Sequence, residues 1–364
     1  MTVKTNQHKF HGLDSLRGLA AIMVIFQHFW EMNNPSDDRL RPWLFFCAGH
    51  EAVILFFVLS GFVLSNQLRN FTANNYGQFV LKRIFRIYPA YYVAIGLSAL
   101  LLVTIKHFIP STLDEHNLTD WFYVWSQTVF DKTMILGSLT LIYHEGNSLD
   151  VATWSLFYEM WLSLAFPVLL WLIWRSSWII NCITVLGLFG LSYYFYIHGD
   201  LLGNAWQSII YYSWYFILGL LIYHLHERIK PVASGFILIL GVLFYFSNYL
   251  LFGKISNRLV HEIIISFGSV IILINGIHNE WFKQVLNWLP FRFYGKISYS
   301  LYLFHLPVLF GLSYLLLPHY STFIVKISTF IIASFIAALG YYLLELPSIN
   351  LINTYLKSRR SNAK

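Results

Sequence analysis

Of 364 residues, 57% are hydrophobic and 19% aromatic, whereas 11% are charged; a soluble domain carries about 25% charged residues, so a soluble globular fold is excluded. Apolar runs of about 20 residues recur from one end to the other, the length at which a helix crosses a bilayer. The net charge of +7 comes from basic residues dispersed at helix ends, so no nucleic-acid partner is expected.

The apolar runs predict an all-α, polytopic membrane protein with about ten transmembrane helices, near 14–32, 50–67, 80–106, 152–174, 178–197, 207–226, 232–252, 258–276, 295–317 and 323–346. With the N-terminus inside, about 17 of the 24 Lys and Arg fall at cytoplasmic ends or loops. They include Lys4, Lys9, Arg69, Lys82, Arg83, Arg86, Arg175, Arg228, Lys230, Lys283, Arg292, Lys296 and the tail LKSRRSNAK. Residues 1–350 therefore read as a single integral-membrane domain and 351–364 as a basic cytoplasmic tail. No internal repeat, linker or soluble appendage is expected. Cys47 and Cys182 fall near opposite membrane faces, too far apart for a disulfide and without metal-site spacing. No metal is expected.

The first span, LDSLRGLAAIMVIFQHFW, ends in WEMNNP, which lacks the small-residue cleavage site of a signal peptide. It carries Asp14 and Arg17 at one end and His28 near the other. A charge inside a bilayer costs a few kcal/mol and normally faces protein or a watery cavity. Arg17 and His28 are 11 residues apart, three turns plus about 20°, so they share one face roughly 16 Å apart along the axis. In the second span, FFVLSGFVLSN, Ser60-Gly61 suits close approach of another helix.

The third span opens LKRIFRIYPAYY. Arg83 and Arg86 stand at i,i+3 on one face, a pair suited to polydentate phosphate binding. Lys82 is explained first by anchoring at the cytoplasmic surface, and the following Pro89 can bend the helix. Residues 121–143 are apolar but interrupted by Asp131 and Lys132. Counting them as a span would invert everything downstream, so they read as an interfacial or re-entrant segment of a long external loop.

The fourth span, ATWSLFYEMWLSLAF, holds Glu159 with Ser155 at i−4 and no basic residue nearby in its own helix. Its depth is compatible with contact to His28, a carboxylate that would orient an imidazole serving as general base; an interhelical hydrogen-bond anchor is the other reading. The ninth span, YGKISYSLYLFHLPVLF, carries Ser298, Tyr302 and His305 along one stripe. There His305 could simply satisfy backbone carbonyls near Pro307. Glu345, in YYLLELP, is expected to serve packing.

Taken in order, LDSLRGLAAIMVIFQH, FFVLSGFVLS, KRIFRIYPAYY, TWSLFYEMW, GKISYSLYLFHLP and LLELP resemble the acyltransferase-3 family of integral-membrane acyltransferases over essentially the whole chain. The resemblance implies a ten-helix enzyme of the inner membrane that moves an acyl group, commonly acetyl from cytoplasmic acetyl-CoA, to a carbohydrate at the outer face. The family's first-helix Arg and His correspond to Arg17 and His28, and its paired arginines to Arg83 and Arg86. On this expectation Lys82, Arg83 and Arg86 hold coenzyme A phosphates, while the pantetheine arm, roughly 15–20 Å extended, spans the rise from Arg17 to His28. His28 acts as base with Arg17 and Glu159, and Ser298, Tyr302 and His305 line the substrate cavity. An acyl-histidine intermediate would use the same residues.

A transporter or assembly component for a sugar precursor would also bury such residues, but matched halves with broken helices are not visible. Acceptor selection is expected in external loops 33–49 and 107–151, where aromatic faces suit both sugar stacking and interfacial anchoring.

Overall fold

The computed structural model describes residues 10–33, 42–72, 75–108, 113, 118–141, 149–175, 178–198, 205–250 and 257–362. Lys4, Lys9, parts of the two external loops and the side chains of Arg175 and Cys182 lie outside the described residues. Every regular element among the described residues is helical.

Helices α1 (His11–Glu31), α2 (Gly49–Gln67) and α3 (Tyr76–Phe108) are followed by two short ones, α4 (Asp120–Ser126) and α5 (Lys132–Thr140). Next come α6 (Trp154–Arg175), α7 (Trp178–His198), α8 (Ala205–Ile229), α9 (Gly235–Tyr245) and α10 (Ser247–Leu250). The chain continues through α11 (Arg258–His278), α12 (Glu280–Leu286), α13 (Leu289–Leu316), α14 (Thr322–Gly340), a π-helical segment Tyr341–Glu345 and α15 (Leu346–Asn362).

Among the described residues, seven helical stretches are long and apolar enough to cross a membrane, which makes the chain an integral, polytopic, all-α membrane protein. Of the three other expected spans, the first and the seventh fall short for identifiable reasons. The apolar character of α1 is diluted by Asp14, Arg17, Gln27, His28 and Glu31. The fifth, α7, is 21 residues long, a spanning length. The seventh is divided at Phe246 between α9 and α10, with Ser247 and Asn248 buried at the break.

Of the segment 121–143, the described residues 121–141 do not form one helix. Asp131 Oδ1 accepts the Met134 N–H at 2.7 Å and so caps the start of α5. At 7 and 9 residues, α4 and α5 are too short to span. The residues read as a tail from 351 are the outer turns of α15, where Ile352 and Leu356 are buried.

Helix α1 packs on α13 and on α2, and α2 in turn on α8. Two glycine crossings set this up. A Cβ on Gly18 would lie 2.5 Å from Gly295 N, and one on Gly295 would lie 2.6 Å from the Asp14 backbone. A Cβ on Gly61 would lie 2.1 Å from Phe216 O, and one on Gly219 the same distance from Val58 O. Small residues allow this backbone contact between membrane helices. The first crossing brings Arg17 beside Ser298; the second turns neighbouring Ser60 toward α1 and α6.

Candidate active site

Two cavities share lining residues inside the bundle. The inner one, about 70 Å³, is lined by polar groups from five helices: Arg17, Ser60, Arg83 and Arg86, Ser155 and Glu159, Ser298 and Tyr302. The second, about 460 Å³, lies at the start of α3 and has Gln67, Asn75, Gln78, Lys82 and Asn353 among its lining residues. Arg83 and Arg86 line both. The larger volume falls in the usual range for ligand pockets.

The inner cavity is a charge network. Arg17 donates to Ser60 Oγ at 3.3 Å, and Ser60 donates on to Glu159 Oε1 at 3.4 Å. Arg83, buried, lies 3.5 Å from the same carboxylate oxygen and donates to Ser163 Oγ. Ser163 donates to Glu159 O at 2.5 Å. One carboxylate thus serves two guanidiniums, one directly and one through a hydroxyl. A buried cation is tolerable only with such partners. Lys82 is exposed on the wall of the larger cavity, and Pro89 is carried inside an uninterrupted α3.

Tyr302 leads out of this cavity. Its hydroxyl donates to Ala152 O at 2.7 Å and pairs with Ser155 Oγ at 2.8 Å, and its ring centroid is 5.8 Å from that of His305. His305 stacks on His28, centroids 5.3 Å apart and planes within 20°. On α4, Trp121 stacks on His28 as well, at 5.0 Å and 10°. Trp125, lying flat on Phe310 at 4.5 Å, fixes α4 to α13; such aromatic pairs contribute about 0.5–1.5 kcal/mol beyond burial.

His305 is 1% exposed. Its Nδ1 lies 2.8 Å from Tyr302 O and 3.2 Å from Leu301 O. Facing only carbonyls, Nδ1 carries the proton, so Nε2 of the neutral ring is an acceptor. That Nε2 is buried with no hydrogen-bond partner among the described residues. The carbonyl that Pro307 frees, four residues back, is that of Leu303; His305 serves two others.

One expected contact is replaced. The carboxylate on His28 is Glu31, with Nδ1 2.7 Å from Glu31 Oε2, whereas Glu159 is held by Arg83 and Ser60. Depth alone made Glu159 a candidate for His28, but its helix face turns toward the arginines. The structure thus brings Arg17, Arg83, Arg86, Glu159, Ser298 and Tyr302 together, places His28 and His305 as a neighbouring pair, and leaves Lys82 at the rim. The Ser298 hydroxyl is occupied by Gly295 O at 3.0 Å. Glu345 accepts from the backbone N–H of Ser300 at 3.1 Å and from its hydroxyl, tying α13 to the end of the π segment. Ser60, Glu31 and Trp121 were not legible as site residues. Ser60 looked like a packing residue, Glu31 stood at the end of its span, and Trp121 sat in the interrupted segment.

A buried cation–carboxylate network beside an imidazole pair within an all-α bundle marks a functional site embedded in a membrane protein. The chain belongs to the acyltransferase-3 family: that acyltransferase domain matches residues 10–345, and the protein is an acyltransferase. It is similar to protein 2 in the picA locus of Rhizobium radiobacter, 29% identical over 160 residues, 42% of this chain and 78% of that one. It is 24% identical to nodulation protein 10 of Rhizobium leguminosarum bv. viciae over 249 residues, 64% of this chain and 65% of the relative. An 83-residue stretch is 34% identical to the O-acetyl transferase of Shigella phage Sf6, 23% of this chain and 24% of the phage protein. No solved structure matches the chain.

Proposed function

We propose that the protein transfers an acetyl group from cytoplasmic acetyl-CoA onto a hydroxyl of a cell-surface carbohydrate, such as O-antigen or exopolysaccharide. It does so from the bacterial inner membrane, with both termini in the cytoplasm. The observation that carries this reading is the pair Arg83 and Arg86, which line the larger cavity and the inner one at once. Lys82, Arg83 and Arg86 supply cations for the nucleotide phosphates. The amides of Gln67, Asn75, Gln78 and Asn353 offer donors and acceptors for its polar edges. From Arg17 to His28 the helix rises about 16 Å, within the reach of an extended pantetheine arm.

Chemistry then falls to the imidazole pair. As the acceptor oxygen attacks the thioester carbonyl, its proton passes to Nε2 of neutral His28. The carbon–sulfur bond breaks, the ester forms, and the imidazolium returns its proton to the departing thiolate. Nε2 of His305 accepts a hydrogen bond from the substrate, and Tyr302 and Ser298 line the approach.

Purified protein in proteoliposomes, given acetyl-labelled coenzyme A and envelope glycan, should place the label in an alkali-labile ester. Passage of a sugar precursor with no consumption of the donor would overturn this reading in favour of a transporter.

A further inference from the structure

We infer that Glu31 is the positioning residue for His28, a role the first helix supplies from its own last turn. The inference rests on the acyl-transfer reading and adds to it.

His28 and Glu31 are at i,i+3 on α1, the spacing at which side chains meet. A carboxylate has no hydrogen to give, so the 2.7 Å contact is the His28 Nδ1–H donating to Glu31 Oε2. This fixes the tautomer and leaves Nε2 as the basic nitrogen. The parallel rings of Trp121 and His305 set the plane of the imidazole but leave rotation within that plane free. The Glu31 contact removes that freedom.

Glu31 is itself held. Its second oxygen, Oε1, accepts from Gln27 Nε2 at 2.7 Å. Its backbone carbonyl accepts from Thr119 Oγ1 at 2.6 Å, and the next carbonyl, Met32 O, from Thr119 N at 3.1 Å. Thr119 directly precedes α4, so the contacts that place Glu31 also place Trp121. The carboxylate steadies the imidazolium formed when His28 takes up the hydroxyl proton and then returns it to the thiolate. No atom of Glu31 needs to touch substrate.

The test uses the full-length protein in proteoliposomes with acetyl-CoA and glycan. Glu31→Gln should lower kcat about 10-fold or more. KM for acetyl-CoA, coenzyme A affinity and thermal unfolding should stay within twofold or within error of wild type. Glu31→Asp, which keeps the charge, should recover most of the rate. In a His28→Ala background, Glu31→Gln should cost nothing further, because a residue acting through His28 has nothing left to position. Gln27→Met, which removes only the hydrogen bond to Oε1, should cost a smaller factor and gives the same reading should Glu31→Gln fail to accumulate. Normal kcat in Glu31→Gln or Gln27→Met, or a further loss in the His28→Ala background, would overturn the inference while leaving acyl transfer standing. Absence of transfer by wild type would instead overturn the reading beneath it.

Discussion

Arg83 on α3 and Glu159 on α6 form an ion pair at 3.5 Å at the junction of the two cavities, with side chains 8% and 24% exposed. Through Ser60, the same carboxylate also reaches Arg17. Two guanidiniums therefore depend on one acidic group, and removing one partner of a buried pair costs more than the pair itself contributes.

Glu159→Gln should accordingly act on donor binding and on stability together. Coenzyme A affinity should fall about tenfold, equivalent to roughly 1.4 kcal/mol, as Arg83 loses its anchor. Calorimetry and thermal unfolding in detergent measure the two effects. Unchanged affinity with loss of turnover alone would move Glu159 back beside His28.

Donor binding and chemistry should separate by position. Replacing Arg83 and Arg86 by alanine together should weaken coenzyme A binding by about 1.5–3 kcal/mol per lost charge-assisted contact. The loss should be smaller at high salt, where the wild-type attraction is already screened. His28→Ala should keep near-normal affinity while transfer falls by about 10²-fold, the scale for removing a general base. Calorimetry paired with a transfer assay compares the variants directly.

Asp150, just ahead of α6, is fully buried. Burial pushes its carboxyl from 3.8 up to about 7, against an opposing hydrogen bond from the Ala152 N–H. A raised carboxyl means that the folded protein holds a proton the unfolded chain has released. Its stabilising contribution is therefore complete below pH 3.8 and is lost as pH rises through about 7. Thermal unfolding should be higher at pH 5 than at pH 8, and Asp150→Asn should shrink that difference. An unchanged pH dependence in the variant would remove Asp150 as its source.

The wall that α15 gives to the larger cavity makes a separate prediction. Ile349, Ile352 and Asn353 line it, and Ile352 is 4% exposed. Ile352→Asp sets an anion where phosphates are proposed to sit. KM for acetyl-CoA should rise several-fold while kcat at saturating donor is retained. A wild-type KM would separate α15 from the donor site.

Much of this was legible in the sequence because intramembrane polar residues are expensive and so stand out. Arg17, Arg83, Arg86, Glu159, Tyr302 and His305 were all visible on that ground, and helical periodicity gave their faces. The pairing was not legible. Glu159 and Glu31 are both acidic and both at depths that could serve His28, and only the rotation of α6 about its axis, set by tertiary packing, assigns one to the arginines. The Phe246 break escaped notice because α9 is apolar on all sides, leaving no stripe whose interruption could mark it. By contrast, the division at Asp131 was visible in the charged pair that interrupts residues 121–143.

The π segment at Tyr341–Glu345 works as a phase shifter. A π turn accommodates one residue more than an α turn, and each residue of an α-helix advances its face by about 100°. Past the insertion, Ile352 and Leu356 turn inward while Leu351 and Tyr355 turn out. Inserting a residue into an otherwise regular helix would rotate everything beyond it by about 100°, more than a quarter turn. The wide turn absorbs that residue, so α15 keeps its inward face while its sequence register moves on by one position, and Glu345 at the end of the segment stays on Ser300 of α13. Carrying one unbroken α-helical period through residues 341–345 would thus misassign every face of the final helix.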